Sequence, residues 1–244
     1  MSRLLARIGV DWVVIDCEHG DIDGMKGSIL LYNIENADNA IDGAMHDAVP
    51  AVADAGVSPI IIFPIIGNVN EVKQVIKSAK FPPLGRRGLG SPYALQRFNP
   101  NPGFTEYLQQ ANESILTIVQ IETKEAFEAV DDIAAIDGVD VLFIGPFDLG
   151  NNLGYPITAE EMAPQLKEAI AQILTASHRA GKKSGIYSVD GSQASLYAEQ
   201  GFDMISITTD FEALIEVLRQ YLSTVTMKSK PEESGASWGF KAEK

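Results

Sequence analysis

The sequence predicts an α/β fold of the barrel type, in which short buried strands alternate with helices. Apolar segments rich in Val, Ile and Phe recur along the chain, at 10–16, 60–66, 115–121, 141–144, 184–188 and 203–207. Their apolar residues run continuously, as expected for parallel strands that are covered on both faces. The length of 244 residues matches one α/β barrel of about 250 residues better than two domains.

Amphipathic segments separate these strands. Apolar residues at helical spacing predict one helix at 127–136 and a longer one at 162–173. A capping box formed by Thr158 and Glu161 predicts where the longer helix starts. From these residues alone, the β-then-α order fits either a barrel or an open doubly wound sheet. No glycine-rich phosphate-binding motif follows the first strand, which argues against a dinucleotide-binding fold.

The predicted organisation is one barrel domain at 1–222, followed by a disordered tail at 223–244. Within the domain, residues 21–45 show no apolar period and are predicted to form an irregular insertion. The tail is polar over most of its length and contains too few apolar residues to form a core.

Composition excludes several classes of partner. Nineteen Lys and Arg residues against 33 Asp and Glu residues give a net charge of −14, which repels nucleic acid and anionic lipid. An acidic ligand would need a local positive centre, such as a bound cation. The one cysteine, Cys17, permits no intrachain disulfide, and no apolar run reaches the roughly 18 residues of a membrane span. We therefore expect a cytoplasmic protein without nucleic-acid or membrane partners.

Polar and ionisable residues gather where the predicted strands end. Asp16 and His19 follow the first strand, Gln120 and Glu122 close the third, and Asp148 follows the fourth. In a parallel barrel all these strand ends open on one face, which is the face that holds active sites. Acidic groups that converge there would repel one another without a cation, so this pattern favours a metal site.

The candidate metal ligands are Glu122 and Asp148, which lie about one α-plus-β repeat apart and therefore on neighbouring strands. Two carboxylates, with water and substrate oxygens, are typical of a Mg²⁺ or Mn²⁺ shell. The spacing is equally compatible with Glu122 capping the next helix and Asp148 being an ordinary loop acid. His19 is a candidate general base with Asp16 as its partner, or else a histidine held by local hydrogen bonds.

Two other groups of polar residues are candidates for the pocket. The segment 81–91 contains two prolines, three glycines and Arg86 and Arg87, and it could turn a guanidinium toward a carboxylate. The alternative is a rigid turn with solvated arginines. A second group follows the last two strands, and it either lines the rim or caps helices: Ser188, Asp190, Thr208, Thr209 and Asp210.

Taken together, these segments resemble the HpcH/HpaI aldolase family, also called the citrate lyase/aldolase family. The resemblance rests on 11–20 (DWVVIDCEHG), 79–91 (AKFPPLGRRGLGS), 118–123 (IVQIET), 138–150 (GVDVLFIGPFDLG) and 201–210 (GFDMISITTD). They occur in the family's order, and the joint match is more specific than any single motif. The strings EHG and PPLGRRG are similar to the 4-hydroxy-2-oxoacid aldolase branch.

The resemblance implies a TIM (β/α)8-type barrel of the phosphoenolpyruvate/pyruvate superfamily kind, assembled into homo-oligomers that are often hexamers. It implies a lyase that cleaves 4-hydroxy-2-oxo acids to pyruvate and an aldehyde through a metal-chelated enolate. Its cofactor would be Mg²⁺, Mn²⁺ or Co²⁺. The roles implied are metal binding by Glu122 and Asp148, base catalysis by His19 with Asp16, and substrate binding by Gln120, Gly145, Pro146, Phe147 and Arg87.

The sequence departs from the family pattern in two places. Family members have a strand before the segment 11–20, and they carry a substrate-gripping arginine on a strand that has no counterpart between Ser58 and Pro64. We therefore expect an incomplete barrel that lacks its first strand and one β–α unit. Three alternatives follow: an inactive relative that still binds metal, a CoA-ester lyase of the citrate lyase beta type, or a truncated product that does not fold stably.

Overall fold

The computed structural model describes Trp12 and residues 60–64, 66–88, 103–158 and 162–228. These residues form five strands and eight helices. In chain order the elements are β1 (Ile60–Phe63), α1 (Val69–Ala79), α2 (Phe104–Ser114), β2 (Leu116–Ile121), α3 (Lys124–Glu128), α4 (Val130–Ala134), β3 (Val141–Ile144), α5 (Pro146–Leu153), α6 (Pro164–Arg179), β4 (Lys183–Tyr187), α7 (Gly191–Gln200), β5 (Met204–Ser206) and α8 (Asp210–Lys228).

All five strands form one parallel sheet in the order β1-β2-β3-β4-β5. Each strand pairs with the next strand along the chain, so the sheet always grows in one direction. A doubly wound sheet would reverse direction at a switch point. The order therefore confirms the α/β barrel-type prediction, although no pairing among the described strands closes the sheet into a barrel.

The sheet separates two apolar layers, because the side chains of each strand alternate between its faces. One face packs against the helices in a large cluster that includes Val119, Ile121, Leu142, Ile144 and Ile186. The other face carries a smaller cluster. It consists of Ile118, Val141 and Phe143, with Trp12, Ile62, Tyr187 and Met204 packed against them. We call this second side the inner face. Burial on both faces explains the continuous apolar runs of β2 and β3.

The start of the longest predicted helix was wrong. The predicted capping box begins at Thr158, but α6 begins at Pro164 with Ala163 as its N-cap and without a side-chain cap. Proline favours the first helical position, and it forces the preceding residue into the extended region, where Ala163 lies (ψ 142°). Met162 therefore precedes the helix, although it still packs against the large core cluster.

Two other predicted boundaries need correction. The helix predicted at 127–136 is divided into α3 and α4, because Ala129 leaves helical geometry with ψ 14°. The predicted tail begins at 223, but α8 continues to Lys228. In this last part of the helix the Thr224 hydroxyl donates a hydrogen bond of 2.9 Å to the carbonyl of Gln220. The rest of the tail, the insertion at 21–45 and the predicted strand at 10–16, apart from Trp12, lie outside the described residues.

The helices in the described part of the chain include none that is both long enough and apolar enough to cross a membrane.

Candidate functional site

Glu122 is a buried acidic residue at the carboxyl end of β2. Strand alternation places Gln120 and Glu122 on the inner face with Ile118. The Glu122 side chain is only 2% exposed, and its Oε2 accepts a hydrogen bond of 2.5 Å from Gln120 Nε2. A carboxylate placed this deeply is costly unless polar or charged groups stabilise it, and such groups are typical of functional sites.

Thr123, and not Glu122, caps the helix that follows β2. Its hydroxyl oxygen accepts a hydrogen bond of 3.0 Å from the Ala126 amide and donates one of 2.7 Å to the carbonyl of Ile66. The alternative reading of Glu122 as a helix cap is therefore wrong. The Glu122 carboxylate is directed toward the end of the neighbouring strand instead.

Gly145 lets that carboxylate approach the end of β3. The last paired residues of β2 and β3 are Ile121 and Ile144. Glu122 directly follows Ile121, and Gly145 directly follows Ile144. A Cβ at position 145 would overlap Glu122 Oε2 and lie 2.9 Å from Gln120 Nε2. Since real Cβ atoms do not come within 3.0 Å of such neighbours, only glycine leaves room for the Glu122 side chain in this position.

Asp148 lies in the first turn of α5, which starts directly after β3. Gly145 is the N-cap, Pro146 is buried at the first helical position, and Phe147 and Asp148 are exposed. Asp148 is thus a helical residue and not the loop acid of the alternative reading. An α-helix provides no intrahelical acceptor for the backbone amides of its first turn. The amides of Phe147 and Asp148 belong to this turn, and they favour an anion in front of the helix start.

A divalent cation suits the residues gathered here. Glu122 offers a buried carboxylate at the end of β2 and Asp148 an exposed one in the first turn of α5. Carboxylate oxygens are the ligands that Mg²⁺ and Mn²⁺ prefer. Within the described ranges, no group of three His, Cys, Asp or Glu side chains forms a metal site by itself. A cation at Glu122 and Asp148 would therefore use water or substrate oxygens as well. The predicted base, His19 with Asp16, lies outside the described residues.

Arg87 takes part in a packed cluster beside α2. Its guanidinium lies 4.5 Å from the centre of the Phe81 ring and donates a hydrogen bond of 3.2 Å to the Tyr107 hydroxyl. The side chain is buried, whereas that of Arg86 is exposed. The reading of the segment 81–91 as a turn with solvated arginines is therefore wrong for Arg87. The contacts described here give it a structural role, and its substrate-binding role stays a prediction.

Two of the residues predicted either to line the rim or to cap helices are helix caps, Asp190 and Thr209. Asp190 caps α7 by accepting a hydrogen bond of 2.8 Å from the Gln193 amide. Ser188 donates its hydroxyl hydrogen bond to the carbonyl of Ser206 on β5. Thr209 forms the first half of a capping box with Glu212 at the start of α8.

Tyr187 and Glu212 are rim residues that the sequence prediction missed. The Tyr187 hydroxyl donates a hydrogen bond of 2.6 Å to Glu212 Oε2, and its ring packs edge-on against the ring of Phe147 at a centroid distance of 6.1 Å. The capping box at Thr209 and Glu212 was visible in the sequence as the segment TDFE. The contact with Tyr187 was not, because it depends on how α8 packs against β4.

Comparison with known proteins gives a consistent result. A family model described as HpcH/HpaI aldolase/citrate lyase matches residues 39–217. The chain is 30% identical over 228 residues to a hydroxypyruvate/pyruvate aldolase of Roseovarius nubinhibens, covering 91% of this chain and 86% of the relative. It is 31% identical to a 2-keto-3-deoxy-L-rhamnonate aldolase of Salmonella paratyphi B, covering 91% of this chain and 83% of the relative.

Solved structures show the same likeness. The crystal structure of an HpcH/HpaI aldolase from Desulfitobacterium hafniense matches with a TM-score of 0.67 at 28% identity, covering 76% of this chain and 70% of that one. An HpcH/HpaI aldolase/citrate lyase family protein from Burkholderia cenocepacia matches with a TM-score of 0.63 at 31% identity, covering 74% and 70%.

Proposed function

Because this chain belongs to the HpcH/HpaI aldolase/citrate lyase family, we propose that it is a metal-dependent aldolase that cleaves 4-hydroxy-2-oxo acids to pyruvate and an aldehyde. The observation that carries this proposal is the buried Glu122 carboxylate, which lies against Gly145, with Asp148 in the first turn that follows. Two relatives at 30% and 31% identity are named as a pyruvate-type and a 2-keto-3-deoxy acid aldolase, which supports the same reaction class.

Glu122 and Asp148 are the residues that would hold the cation, which we expect to be Mg²⁺, Mn²⁺ or Co²⁺. When bound, such a cation supplies Lewis acidity, which stabilises the negative charge that develops on the 2-oxo group during bond cleavage. Gln120 fixes the Glu122 side chain through its amide. Gly145 leaves the room that this carboxylate occupies beside the end of β3.

The start of α5 provides the complementary group for the substrate carboxylate. The amides of Phe147 and Asp148 would donate hydrogen bonds to it, and Pro146 fixes the helix start that orients them. Local attraction of this kind matters because the chain as a whole carries a charge of −14, which repels a 2-oxo acid at long range.

The base in this proposal is His19, oriented by Asp16. It would accept the proton of the C4 hydroxyl as the bond between C3 and C4 breaks, so that C4 leaves as an aldehyde and the electron pair stays on the pyruvate fragment. We further propose that residues 1–222 form the aldolase-like domain and that the protein is a homo-oligomer.

One observation favours a second candidate, a relative that binds metal without turnover. No arginine occurs between Ser58 and Pro64, where the family pattern places the guanidinium that grips the substrate. A lost charge-assisted hydrogen bond to a carboxylate would lower the rate substantially, because such bonds are among the strongest in proteins.

The test is release of pyruvate from 4-hydroxy-2-oxo acids with Mg²⁺ or Mn²⁺, with and without EDTA. We expect EDTA-sensitive release by the unmodified chain, loss of metal binding and turnover in Glu122→Gln, and retention of both in the control Glu199→Gln, which changes an exposed glutamate on α7. Metal binding by a folded chain without pyruvate release would instead support the inactive relative. EDTA-resistant release would contradict the metal-dependent mechanism.

A further inference from the structure

Tyr187 lies at the same level of the sheet as the candidate metal site. β2, β3 and β4 are paired so that Glu122, Gly145 and Tyr187 occupy corresponding positions at the ends of three adjacent strands. Adjacent strands are about 4.8 Å apart, so the backbones of Glu122 and Tyr187 are separated by roughly 10 Å. Tyr187 also packs on the inner face, which carries Gln120 and Glu122.

Phe147 connects the two regions. It is 42% exposed, it follows Pro146 at the start of α5, and its ring meets the ring of Tyr187 at 64°. The Tyr187 side chain therefore borders the proposed pyruvate pocket on the side of β4. This position is where the substrate would continue beyond its pyruvate half.

Among the described residues, the Glu212 carboxylate at this border accepts hydrogen bonds through one of its two oxygens. Oε2 accepts hydrogen bonds from the Tyr187 hydroxyl at 2.6 Å, the Thr209 hydroxyl at 2.9 Å and the Thr209 amide at 3.3 Å. Within the described part of the chain, no donor reaches Oε1. Glu212 is half-buried, and a carboxylate oxygen is a strong hydrogen-bond acceptor.

Tyr187 stays a hydrogen-bond donor throughout the physiological pH range. Burial raises the pKa of its hydroxyl well above the ordinary value, and the hydrogen bond to Glu212 and the charge of that carboxylate raise the pKa further. The Tyr187 hydroxyl consequently keeps its hydrogen bond to Glu212 Oε2, and a carboxylate at this place repels anions and accepts hydrogen bonds from hydroxyl groups.

We propose that Tyr187 and Glu212 form the subsite for the aldehyde half of the substrate and select an uncharged aldehyde with a hydroxyl group on the carbon next to its carbonyl. This inference rests on the proposed aldolase function. Glu212 Oε1 accepts the hydrogen bond from the substrate hydroxyl, and Tyr187 holds the carboxylate in place through Oε2. An aldehyde without the hydroxyl would lack this hydrogen bond, so the site would favour the hydroxyaldehyde.

A purely structural role would use the same contacts differently. Thr209 and Glu212 cap α8, and the bond from Tyr187 would fasten that helix to β4. If the contact were only structural, a variant that lacks it would be less stable than the unmodified chain but would keep the same preference among ligands. The two roles are therefore separated by measurements of preference and melting temperature on the same variants.

The first measurement uses ligands that cannot be cleaved, so it does not depend on turnover. In the presence of Mg²⁺, calorimetry compares 2,4,5-trihydroxypentanoate with 2,4-dihydroxyhexanoate, in which a methyl group replaces the terminal hydroxyl. We expect the trihydroxy acid to bind the unmodified chain about five- to tenfold more tightly. The difference should nearly disappear in Glu212→Gln and shrink in Tyr187→Phe, while Tyr221→Phe, at an exposed position on α8, retains it.

The second measurement is aldol addition of pyruvate to glycolaldehyde, propanal and glyoxylate. We expect Glu212→Gln to lower the ratio of kcat/KM for glycolaldehyde over propanal about five- to tenfold, and to raise kcat/KM for the anionic glyoxylate severalfold. Absence of all turnover, with the calorimetric preference intact, would refute the aldolase and leave the subsite standing. Unchanged ligand preference in both variants, with lower melting temperatures, would overturn the subsite and show that Tyr187 only fastens α8.

Discussion

Gly145→Ala tests whether the close contact between β2 and β3 forms the metal site. Gly145 has φ −95°, which alanine adopts without strain. The added Cβ would nevertheless overlap Glu122 Oε2 and lie 2.9 Å from Gln120 Nε2. Both atoms are at the ends of side chains, so we expect these ends to move while the backbone stays in place.

The expected cost in stability is therefore small, and the expected cost in function is large. Displacing two side-chain ends should lower the free energy of unfolding by roughly 1 kcal/mol, or about 2–4 °C in melting temperature for a chain of this size. A shift of a metal ligand and its hydrogen-bonding partner should weaken Mn²⁺ binding about 10- to 100-fold. Pyruvate release should fall by at least the same factor when Mn²⁺ is limiting.

Calorimetric titration with Mn²⁺ and thermal unfolding of the metal-free protein measure the two effects separately. Gly191→Ala is the control, because a Cβ there would have no neighbour within 4 Å. Wild-type Mn²⁺ affinity in a well-folded Gly145→Ala variant would refute the reasoning, because it would show that the Glu122 carboxylate does not need its position against β3.

Three further predictions concern the stability of the scaffold, and urea or thermal unfolding measures each of them. Arg87→Ala should lower stability by about 2–4 kcal/mol, because a buried guanidinium stacked on Phe81 is removed; a change below 1 kcal/mol would contradict a structural role. Thr123→Val should cost about 1–3 kcal/mol, since it removes both the helix cap and the hydrogen bond to Ile66, whereas Thr175→Val, at an exposed position, should cost less. Burial raises the pKa of Asp203, but hydrogen bonds from Lys183, the Ser184 amide and His178 outweigh burial and lower the pKa below its ordinary value of 3.8. The stabilisation is present above pH 3.8 and lost as pH falls through the lowered pKa, so Asp203→Asn should be less stable than the unmodified chain at pH 6, with a difference that shrinks below pH 3.8. A difference independent of pH would contradict this assignment.

The strands could be predicted from the sequence because their burial is nearly uniform. β3 is buried at all four positions, and β2 at four of six, so each was visible as a continuous apolar run. Their parallel direction followed from the alternation with helices, which left the strand order open between a barrel and a doubly wound sheet. Helix starts were less predictable. The capping pattern predicted the start of α6 at Thr158, but the helix starts six residues later, at Pro164, because Ala163 before the proline is extended.

The candidate site was predictable only in part. The sequence placed Glu122 and Asp148 at adjacent strand ends, but its pattern did not decide between a cap and a ligand. The structure excludes the cap, because the Thr123 hydroxyl caps the helix and Glu122 lies on the inner face; the ligand role of Glu122 stays a prediction. The contact between Tyr187 and Glu212 joins residues that are distant in sequence and depends on the packing of α8, so no local pattern could have revealed it.

A carboxylate at position 122 is costly for the fold. Removing it from water costs several kcal/mol unless polar or charged partners compensate, and the amide of Gln120 is one such partner. An apolar residue at 122 would extend the inner cluster at no such cost, and position 145 would not then require glycine. A buried acid and a glycine that makes room for it are two features on different strands, and each makes sense only with the other. The cation proposed between β2 and α5 would give both features a common purpose, because it would compensate the buried charge and attract an anionic substrate.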